Sequence, residues 1–391
     1  MDSSTVFHTA IIGAGASGLF CAGSFRASKI ILEANAVPAQ KVAVSGGGKC
    51  NFSNRFVSPA NYLSQNKHFC KAALAGFKPE NFTALLDQNG IPWQERENGQ
   101  LFAKRATDIT RWLLRRAQKQ NTQLALNTRV LNVKQEQGLF ILITSGGTVR
   151  AKNVVLATGG LSFPELGGNN FGLKLARKLG LNIVEPRPVL CGLTWTKELR
   201  ARFAALAGNS LPVKISQGKF SFQGPLLFTH EGISGPAVLQ LSLFWQPNIP
   251  VCIDFLPGKS VPEILQQHKN SSKTMACVLT DFLPGKTARA LLADCNSPLA
   301  QATRSQLHQA ADTLHRFQFC PRATFGYTKA EATAGGLDTR ELSSSTMQVR
   351  RIPGLFATGE LMDVTGNLGG FNLHWAWASA FAAAQCLQKQ G

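Results

Sequence analysis

The first 33 residues hold the pattern that most constrains the fold of this chain. An apolar, β-branched segment from Val6 to Ile12 leads into the turn Gly13-Ala-Gly-Ala-Ser-Gly18, and a small-residue helix then extends to Arg26. A second apolar segment, residues 30–32, ends at Glu33. These segments have the order of a dinucleotide-binding βαβ unit: a strand, a glycine turn, a helix, a second strand and an acid at its end. The pattern predicts an α/β fold with a Rossmann-like parallel sheet.

Each residue type in this unit has a mechanical reason. Gly13 permits the tight turn, Gly15 lets a pyrophosphate approach the backbone, and Gly18 lets the helix pack closely on the strand. Glu33 can accept hydrogen bonds from a ribose hydroxyl, and its charge would repel a 2′-phosphate. The bound dinucleotide is therefore expected to be FAD or NAD rather than NADP.

Two later strand ends favour FAD over NAD. Residues 153–160 form an apolar strand that opens into small residues, and residues 354–360 repeat this design. Residues 369–372 then begin a long apolar helix that extends to Leu387. A nicotinamide dehydrogenase would not need this returning C-terminal segment, whereas a flavin must be held along its ribitol and ring. No second glycine fingerprint follows a strand, so one dinucleotide is expected.

The segment Lys41–Asn51 contains three consecutive glycines, Gly46, Gly47 and Gly48. Glycines allow the backbone to lie flat against a planar ring, and the charges of Lys41 and Lys49 could offset phosphate or reduced-flavin charge. Taken alone, the segment is a glycine loop.

The order of elements predicts a discontinuous cofactor domain. Residues 140–144 and 149–157 flank a turn and are typical of a hairpin. From residue 189 to 331, short strands alternate with helical patterns after the prolines Pro186 and Pro188. We predict that residues 189–331 form a mixed α+β insert domain and that residues 1–188 and 332–391 form the cofactor domain.

The cysteine content and the lack of long apolar segments indicate the cellular compartment that suits the protein. The nine cysteines are an odd number without a Cys-x-x-Cys pair, which argues against a disulfide framework and a zinc ribbon. The N-terminus lacks a basic n-region, and no run of about 18 apolar residues exists. We expect a cytoplasmic protein with no metal and no membrane span.

The net charge of +19 suggests a polyanionic partner, although surface charge without a binding role is the alternative. Residues 1–188 hold 23 basic and 10 acidic residues. Residues 107–120 have helical periodicity, which turns four apolar side chains inward and places Arg111, Arg115 and Lys119 outward. Such a row can follow RNA phosphates, or it is simply a solvated helix face.

Several motifs together resemble the BaiN/RdsA (YhiN-like) FAD-dependent oxidoreductases over essentially the full chain. The motifs that are specific to that family are Ser45-Gly-Gly-Gly-Lys-Cys-Asn51 and the segment His230-Glu-Gly-Ile-Ser-Gly-Pro236; the others are residues 157–160, 359–366 and 369–377. The resemblance implies a FAD domain of the two-dinucleotide-binding type that is interrupted by a family-specific insert. Two departures from the family pattern are Asn169-Asn-Phe-Gly172 and His374, where many relatives have an aspartate-containing motif and a glutamine.

The resemblance also implies a set of FAD contacts. They come from the glycine turn, the second strand end, the triple-glycine segment, the adenine-side strand and the C-terminal segments: Gly13, Gly15, Ala16, Ser17, Gly18, Glu33, Lys41, Ser45, Gly46, Gly47, Gly48, Lys49, Cys50, Asn51, Val130, Ala157, Thr158, Gly159, Gly359, Glu360, Gly370, Asn372 and Leu373.

One branch of the family saturates a carbon–carbon double bond in steroid acids, and another forms dihydrouridine in 23S ribosomal RNA. The sequence is closer to the second branch, and the positive charge agrees with an RNA substrate. The hypothesis is that hydride passes from reduced FAD to C6 of a uracil while an acid protonates C5, with NAD(P)H as a transient reductant. The alternatives are a flavin reductase or oxidase of a small unsaturated or amine substrate, and a non-catalytic flavin-containing RNA-binding protein.

Two side chains are candidates for the acid. Cys50 lies in the triple-glycine segment, and a thiol can release a proton, although a buried packing role is the alternative. His230 is the second candidate, and its alternative role is to order its own loop.

Overall fold

The computed structural model describes residues 5–391, and the chain divides into two compact units. The first unit comprises Met1–Pro188 and Ala332–Gly391, and the second comprises Val189–Glu331. Each unit has its own hydrophobic core.

The first stretch of the chain, up to the second unit, contains both strands and helices. In chain order these elements are β1 (Val6–Ile12), α1 (Ala16–Ala22), β2 (Lys29–Leu32), α2 (Gln40–Gly48), β3 (Asn51–Asn54), β4 (Tyr62–Leu63), α3 (Lys71–Gly76), α4 (Pro79–Gln88), β5 (Trp93–Glu95), β6 (Gln100–Ala103), α5 (Ala106–Lys119), β7 (Thr122–Ala125), β8 (Val130–Glu136), β9 (Leu139–Thr144), β10 (Gly147–Leu156), α6 (Phe171–Lys178) and β11 (Ile183–Val189).

The second unit follows, and the chain then returns to the first. Its elements are β12 (Leu193–Thr194), α7 (Lys197–Phe203), β13 (Ser210–Gln217), β14 (Phe220–Phe228), β15 (Gly232–Ser234), α8 (Pro236–Ser242), β16 (Val251–Asp254), α9 (Val261–Gln267), α10 (Met275–Val278), α11 (Gly285–Leu291), α12 (Arg304–His315) and β17 (Phe317–Phe319). The returning elements are β18 (Ala332–Leu337), β19 (Leu355–Ala357), β20 (Thr365–Gly366) and α13 (Phe371–Gln388).

The main sheet of the first unit has the strand order β7-β2-β1-β10-β9-β8, and β19 also pairs with β10. β7, β2, β1, β10 and β19 run parallel, which confirms the predicted Rossmann-like sheet. β8, β9 and β10 form antiparallel hairpins, so the predicted hairpin around residues 145–147 is confirmed. β2 and most of β1 are buried along their length, as expected for parallel strands that are covered on both faces.

The helices follow the apolar patterns with one difference. α5 buries Ile109, Trp112 and Leu113 as its periodicity predicts, and α13 is buried along most of its length. The prediction that α1 reaches Arg26 was wrong, because the helix ends at Ala22. Gly23 follows as the C-terminal cap, and a Cβ there would lie 2.7 Å from the side chain of Arg116, so α5 packs closely against the chain at this point.

The second unit is built on a six-stranded antiparallel sheet with the order β12-β15-β14-β13-β16-β17. Aromatic side chains fill its core; for example, the rings of Trp195 and Phe319 lie 4.7 Å apart. Within residues 5–391, the structure contains no helix that is both long and apolar enough to cross a membrane.

Candidate functional site

The glycine turn after β1 is closely packed at two positions. Gly13 has a φ of +107°, and a Cβ there would lie 2.4 Å from the carbonyl oxygen of Ala157. A Cβ on Gly18 would lie 2.0 Å from the carbonyl oxygen of Gly13. Contacts this short exclude any side chain, so only glycine allows α1 to pack on the ends of β1 and β10.

The same edge of the sheet is open at Gly15 and Gly159. A Cβ at either position would have no neighbour within 4 Å, and the φ of Gly159 is +72°. Gly15 caps α1, whose first residues are Ala16 and Ser17. The backbone therefore presents an accessible surface where a pyrophosphate would lie against a dinucleotide-binding turn.

Glu33 follows β2 at this edge and is largely buried. Its carboxylate accepts hydrogen bonds from the backbone N–H of Ala14 at 2.7 Å and of Asn35 at 2.9 Å. One carboxylate oxygen is used for each bond, so each keeps a lone pair for a ribose hydroxyl. The two backbone bonds hold the carboxylate beside the glycine turn.

The chain just before the strand that begins at Val130 is connected to Glu33 by a backbone hydrogen bond. The N–H of Thr128 donates to the carbonyl oxygen of Glu33 at 2.7 Å, and Val130 begins β8 two residues later with a buried side chain. The predicted adenine-side residue thus follows, by two residues, a direct backbone contact with the predicted ribose-side residue.

Gly359 brings the third strand end, after β19, to the glycine turn. A Cβ on Gly359 would lie 2.8 Å from Oγ of Ser17. Its backbone N–H donates to Oγ of Ser379 at 3.0 Å, and its carbonyl accepts from Nε1 of Trp375 at 3.2 Å. α13 therefore holds this strand end against the start of α1.

Glu360 is the centre of a polar cluster. Its carboxylate accepts from Nζ of Lys41 at 2.7 Å, from Oγ of Ser162 at 2.9 Å and from the N–H of Thr333 at 2.9 Å. Burial alone would raise the pKa of Glu360, but Lys41, Ser162 and Thr333 together hold it below its usual value. Lys41 is thus paired with an acid, which neutralises the charge that the sequence assigned to offsetting phosphate or flavin charge.

The triple-glycine segment begins as a turn of α2 and then leaves the helix. Ser45 is extended, and Gly46, Gly47 and Gly48 have φ values of +56°, +64° and +79°. A Cβ on Gly47 or Gly48 would meet open space within 4 Å, and Lys49 is exposed. The backbone of this segment is therefore accessible, as contact with a flat ring requires.

The start of α13 meets the end of that segment. A Cβ on Gly370 would lie 2.2 Å from the carbonyl oxygen of Ser53 and 2.6 Å from the side chain of Asn51. Asn372 accepts from the N–H of Gly366 at 2.8 Å and donates to its carbonyl oxygen at 3.1 Å. Leu373 is half-buried against the core of the unit.

The two candidate acids have different surroundings. Cys50 is fully buried, and burial raises the pKa of its thiol to about 12. A thiol with that pKa is a weak proton donor near pH 7, so the structure favours the packing alternative for Cys50. His230 is exposed in the turn between β14 and β15 of the second unit.

The predicted RNA-binding side chains Arg111, Arg115 and Lys119 are all exposed on α5, in the first unit.

The interior of the unit contains side chains that the sequence analysis did not assign to the site. Ser162 and Thr333 bind Glu360, but both are distant from it in sequence, so only the fold brings them together. No sequence signal marked either of them.

The residues around the open edge fit FAD. Three strand ends converge there, two closely packed glycines shape the turn, and Gly15 and Gly159 leave space above the backbone. Glu33 provides a ribose acceptor, and the accessible backbone of Gly47 and Gly48 suits a planar ring.

Comparisons with known proteins identify similar chains. The family model described as the HI0933-like protein Rossmann domain matches residues 7–386. A protein of Escherichia coli named ribosomal RNA dihydrouridine synthase is 41% identical over 97% of this chain and 98% of the relative. A protein of the same name from Haemophilus influenzae is 40% identical over 97% of this chain and 98% of the relative.

A solved structure shows a similar fold. A variant of Escherichia coli quinol fumarate reductase FrdA superposes with a TM-score of 0.51 at 16% identity, covering 99% of this chain and 70% of that chain.

Proposed function

Because the chain belongs to the HI0933-like family, we propose that it is an FAD-dependent oxidoreductase that reduces a uridine in 23S ribosomal RNA to dihydrouridine. Two full-length relatives carry the name ribosomal RNA dihydrouridine synthase. The observation that carries the proposal is that one structural unit combines an open dinucleotide-binding edge with an exposed row of cations on α5. The first feature suits a flavin and the second suits an RNA.

The chemistry divides between cofactor and protein. When bound, reduced FAD supplies a hydride to C6 of the uracil ring. The C5=C6 double bond is lost, and a proton delivered to C5 completes the reduction. Reducing a base in folded RNA requires an exposed nucleotide, so we propose that the protein binds the uridine unstacked.

The residues of the first unit prepare the cofactor for this reaction. Gly15 and Gly159 admit the pyrophosphate, Glu33 orients the ribose, and the segment 45–51 supports the ring. NAD(P)H is proposed as a transient reductant, because the chain has a single glycine fingerprint. Ribosomal RNA as substrate implies a cytoplasmic location.

A deletion strain tests the proposal. Dihydrouridine in its 23S RNA is measured by mass spectrometry, with complementation by the wild-type chain or by Gly15→Ala, whose Cβ would occupy the space above the turn. We expect the modification to disappear on deletion, to return with the wild type and to stay absent with Gly15→Ala.

Unchanged dihydrouridine in the deletion strain would overturn the proposal. Reduction of a small unsaturated compound by the purified protein, with no change in the RNA, would favour the small-substrate alternative. Retention of RNA without any turnover would favour a non-catalytic RNA-binding protein.

A further inference from the structure

A strongly basic groove of about 870 Å³ lies on the first unit. Its longest wall is the exposed face of α5, and its other walls come from the chain after α1, the chain after α4 and the end of α13. All of these segments belong to the same unit.

The groove lies at the opposite edge of the sheet from the glycine turn. α1 begins beside Gly15 at the open edge and ends at Ala22, and the next residue, Gly23, lines the groove. β2 runs in the opposite direction, from the groove to the open edge: it begins at Lys29, whose Nζ donates at 2.6 Å to the carbonyl oxygen of the groove residue Gln120, and it ends before Glu33. The groove is therefore separated from the cofactor edge by the length of the strands.

Most of the charge in the groove is not neutralised. Seven lysines and arginines line it with one acid, Asp108, which pairs with Arg105 at 3.1 Å. Five exposed cations have no carboxylate partner within 4 Å among residues 5–391: Arg26, Lys104, Arg111, Arg115 and Lys119.

The seventh cation is built into the wall of the groove. The guanidinium of Arg116 lies 4.5 Å from the ring centre of Phe20 and donates to the carbonyl oxygen of Phe20 at 3.2 Å. It also lies 5.6 Å from the ring centre of Trp112. Burial lowers the pKa of Arg116 to about 10, so the group stays charged at pH 7. A partly buried cation without an acid partner adds to the positive potential of the groove.

The spacing of the exposed cations suits a linear polyanion. Arg111, Arg115 and Lys119 follow one another at four-residue intervals, which is about 6 Å of helix rise for each step. A regular row of point charges matches a chain of phosphates better than a single small anion. None of the exposed large hydrophobic side chains of the protein lines the groove, and the large apolar residues in its lining, Phe25, Ile91 and Trp112, are buried or half-buried. The groove therefore does not present the protruding apolar groups that insert into a lipid bilayer.

We propose that this groove binds the phosphate backbone of an RNA segment other than the one that carries the reacting base. The inference rests on the proposed function, because it takes RNA as the substrate. Its consequence is that the protein holds its RNA at two places, so a long or folded RNA binds more tightly than a short fragment around the target uridine.

Binding of a labelled mixed-sequence RNA strand to the full-length protein tests the groove. The variant Arg111→Gln/Arg115→Gln is compared with the control Lys134→Gln/Arg150→Gln. The control residues are also exposed and removed from the groove, and both pair with Ile141 across the sheet. Visible flavin absorbance and thermal unfolding verify that each variant is folded. If the groove variant does not fold, Arg26→Gln/Lys119→Gln replaces it.

We expect the groove variant to bind the strand roughly tenfold more weakly and to reduce the slope of log K against log salt by about 1.4, which is about 0.7 for each lost phosphate contact. The control should bind within about twofold of the wild type. Equal losses in both variants, or no loss in the groove variant, would overturn the proposal. Lost binding to phosphatidylglycerol vesicles with unchanged RNA binding would assign the groove to a lipid surface instead.

The proposed function has a separate readout. If the groove variants lose RNA binding but the wild type forms no dihydrouridine, the function is wrong and the groove assignment stands. If the wild type forms dihydrouridine and the groove variants bind RNA as it does, only the groove assignment is wrong.

Discussion

The side-chain hydroxyl of Ser53 donates to Nδ1 of His374 across 2.8 Å, and Nε2 of the same ring donates to the carbonyl oxygen of Phe77 across 3.1 Å. The ring is completely buried, and burial is the main reason that its pKa falls to about 4. His374 is therefore a neutral residue with both nitrogens bonded, which links α13 to β3 and to the end of α3.

This arrangement predicts that stability falls in mildly acidic solution. Unfolded histidine takes up a proton near pH 6.5, whereas His374 in the fold does so near pH 4. Between these values the unfolded state binds more protons, so the free energy of unfolding should decrease as pH falls, by roughly 3 kcal/mol in total. Urea unfolding at several pH values measures this.

The control is His374→Gln, because an amide can accept from Ser53 and donate to Phe77 without titrating. The wild type should lose more stability than this variant between pH 6.5 and pH 4. Parallel curves for the two proteins would contradict the assignment. His374→Ala should lose roughly 2–4 kcal/mol at pH 7 through the cavity and the unpaired groups.

The open glycine of the turn, Gly15, and the closely packed one, Gly18, predict different defects: loss of flavin binding for the first and loss of stability for the second. Gly15→Ala adds a methyl group to open space, so the protein should fold but lose visible flavin absorbance after purification. Gly18→Ala places a methyl group 2.0 Å from the carbonyl oxygen of Gly13, so it should lower the thermal unfolding temperature of the apoprotein. Full flavin content in Gly15→Ala would argue against cofactor binding at this turn.

The ion pair between Lys41 and Glu360 predicts that substitutions of the two residues have coupled effects on the free energy of unfolding. Lys41→Met leaves Glu360 without its cation, so the pKa of the carboxyl should rise and the free energy of unfolding at pH 7 should fall by roughly 1–3 kcal/mol. The double variant Lys41→Met/Glu360→Gln should recover part of this loss. A double-mutant cycle from urea unfolding measures the coupling, and strictly additive losses would show that the ion pair contributes nothing.

The candidate acids predict different losses of product. Cys50→Ala should retain FAD and most dihydrouridine formation, because a buried thiol with a pKa of about 12 is a poor donor. His230→Ala tests the second candidate, and His230→Gln is its control for loop order. If His230 is the acid, both variants should lose product while keeping FAD. Loss of product in Cys50→Ala with FAD retained would restore the thiol as the acid.

Patterns between residues close in sequence were sufficient to predict much of the fold of the cofactor domain. The spacing of Gly13, Gly15 and Gly18 after an apolar strand indicates where the chain turns, because Gly13 and Gly18 are needed for close contacts between neighbouring segments, whereas Gly15 leaves open space above the turn. The periodicity of α5 identified its buried face, since helical side chains recur every three to four residues. The end of α1 could not be placed this way, because the small apolar residues around it have no helical periodicity that stops at Ala22.

The parallel sheet, the glycine turn, the position of Glu33 and the excess of positive charge can all be read from the order of the residues. The fold was needed to show that Glu360 is paired with Lys41, that Cys50 is buried, and that the cations of α5 line a groove together with Arg26. The two sets of properties differ in the range of the interactions that produce them. Strand, turn and helix preferences act between residues close in sequence, whereas burial, pKa and charge neutralisation depend on segments that meet only in the fold.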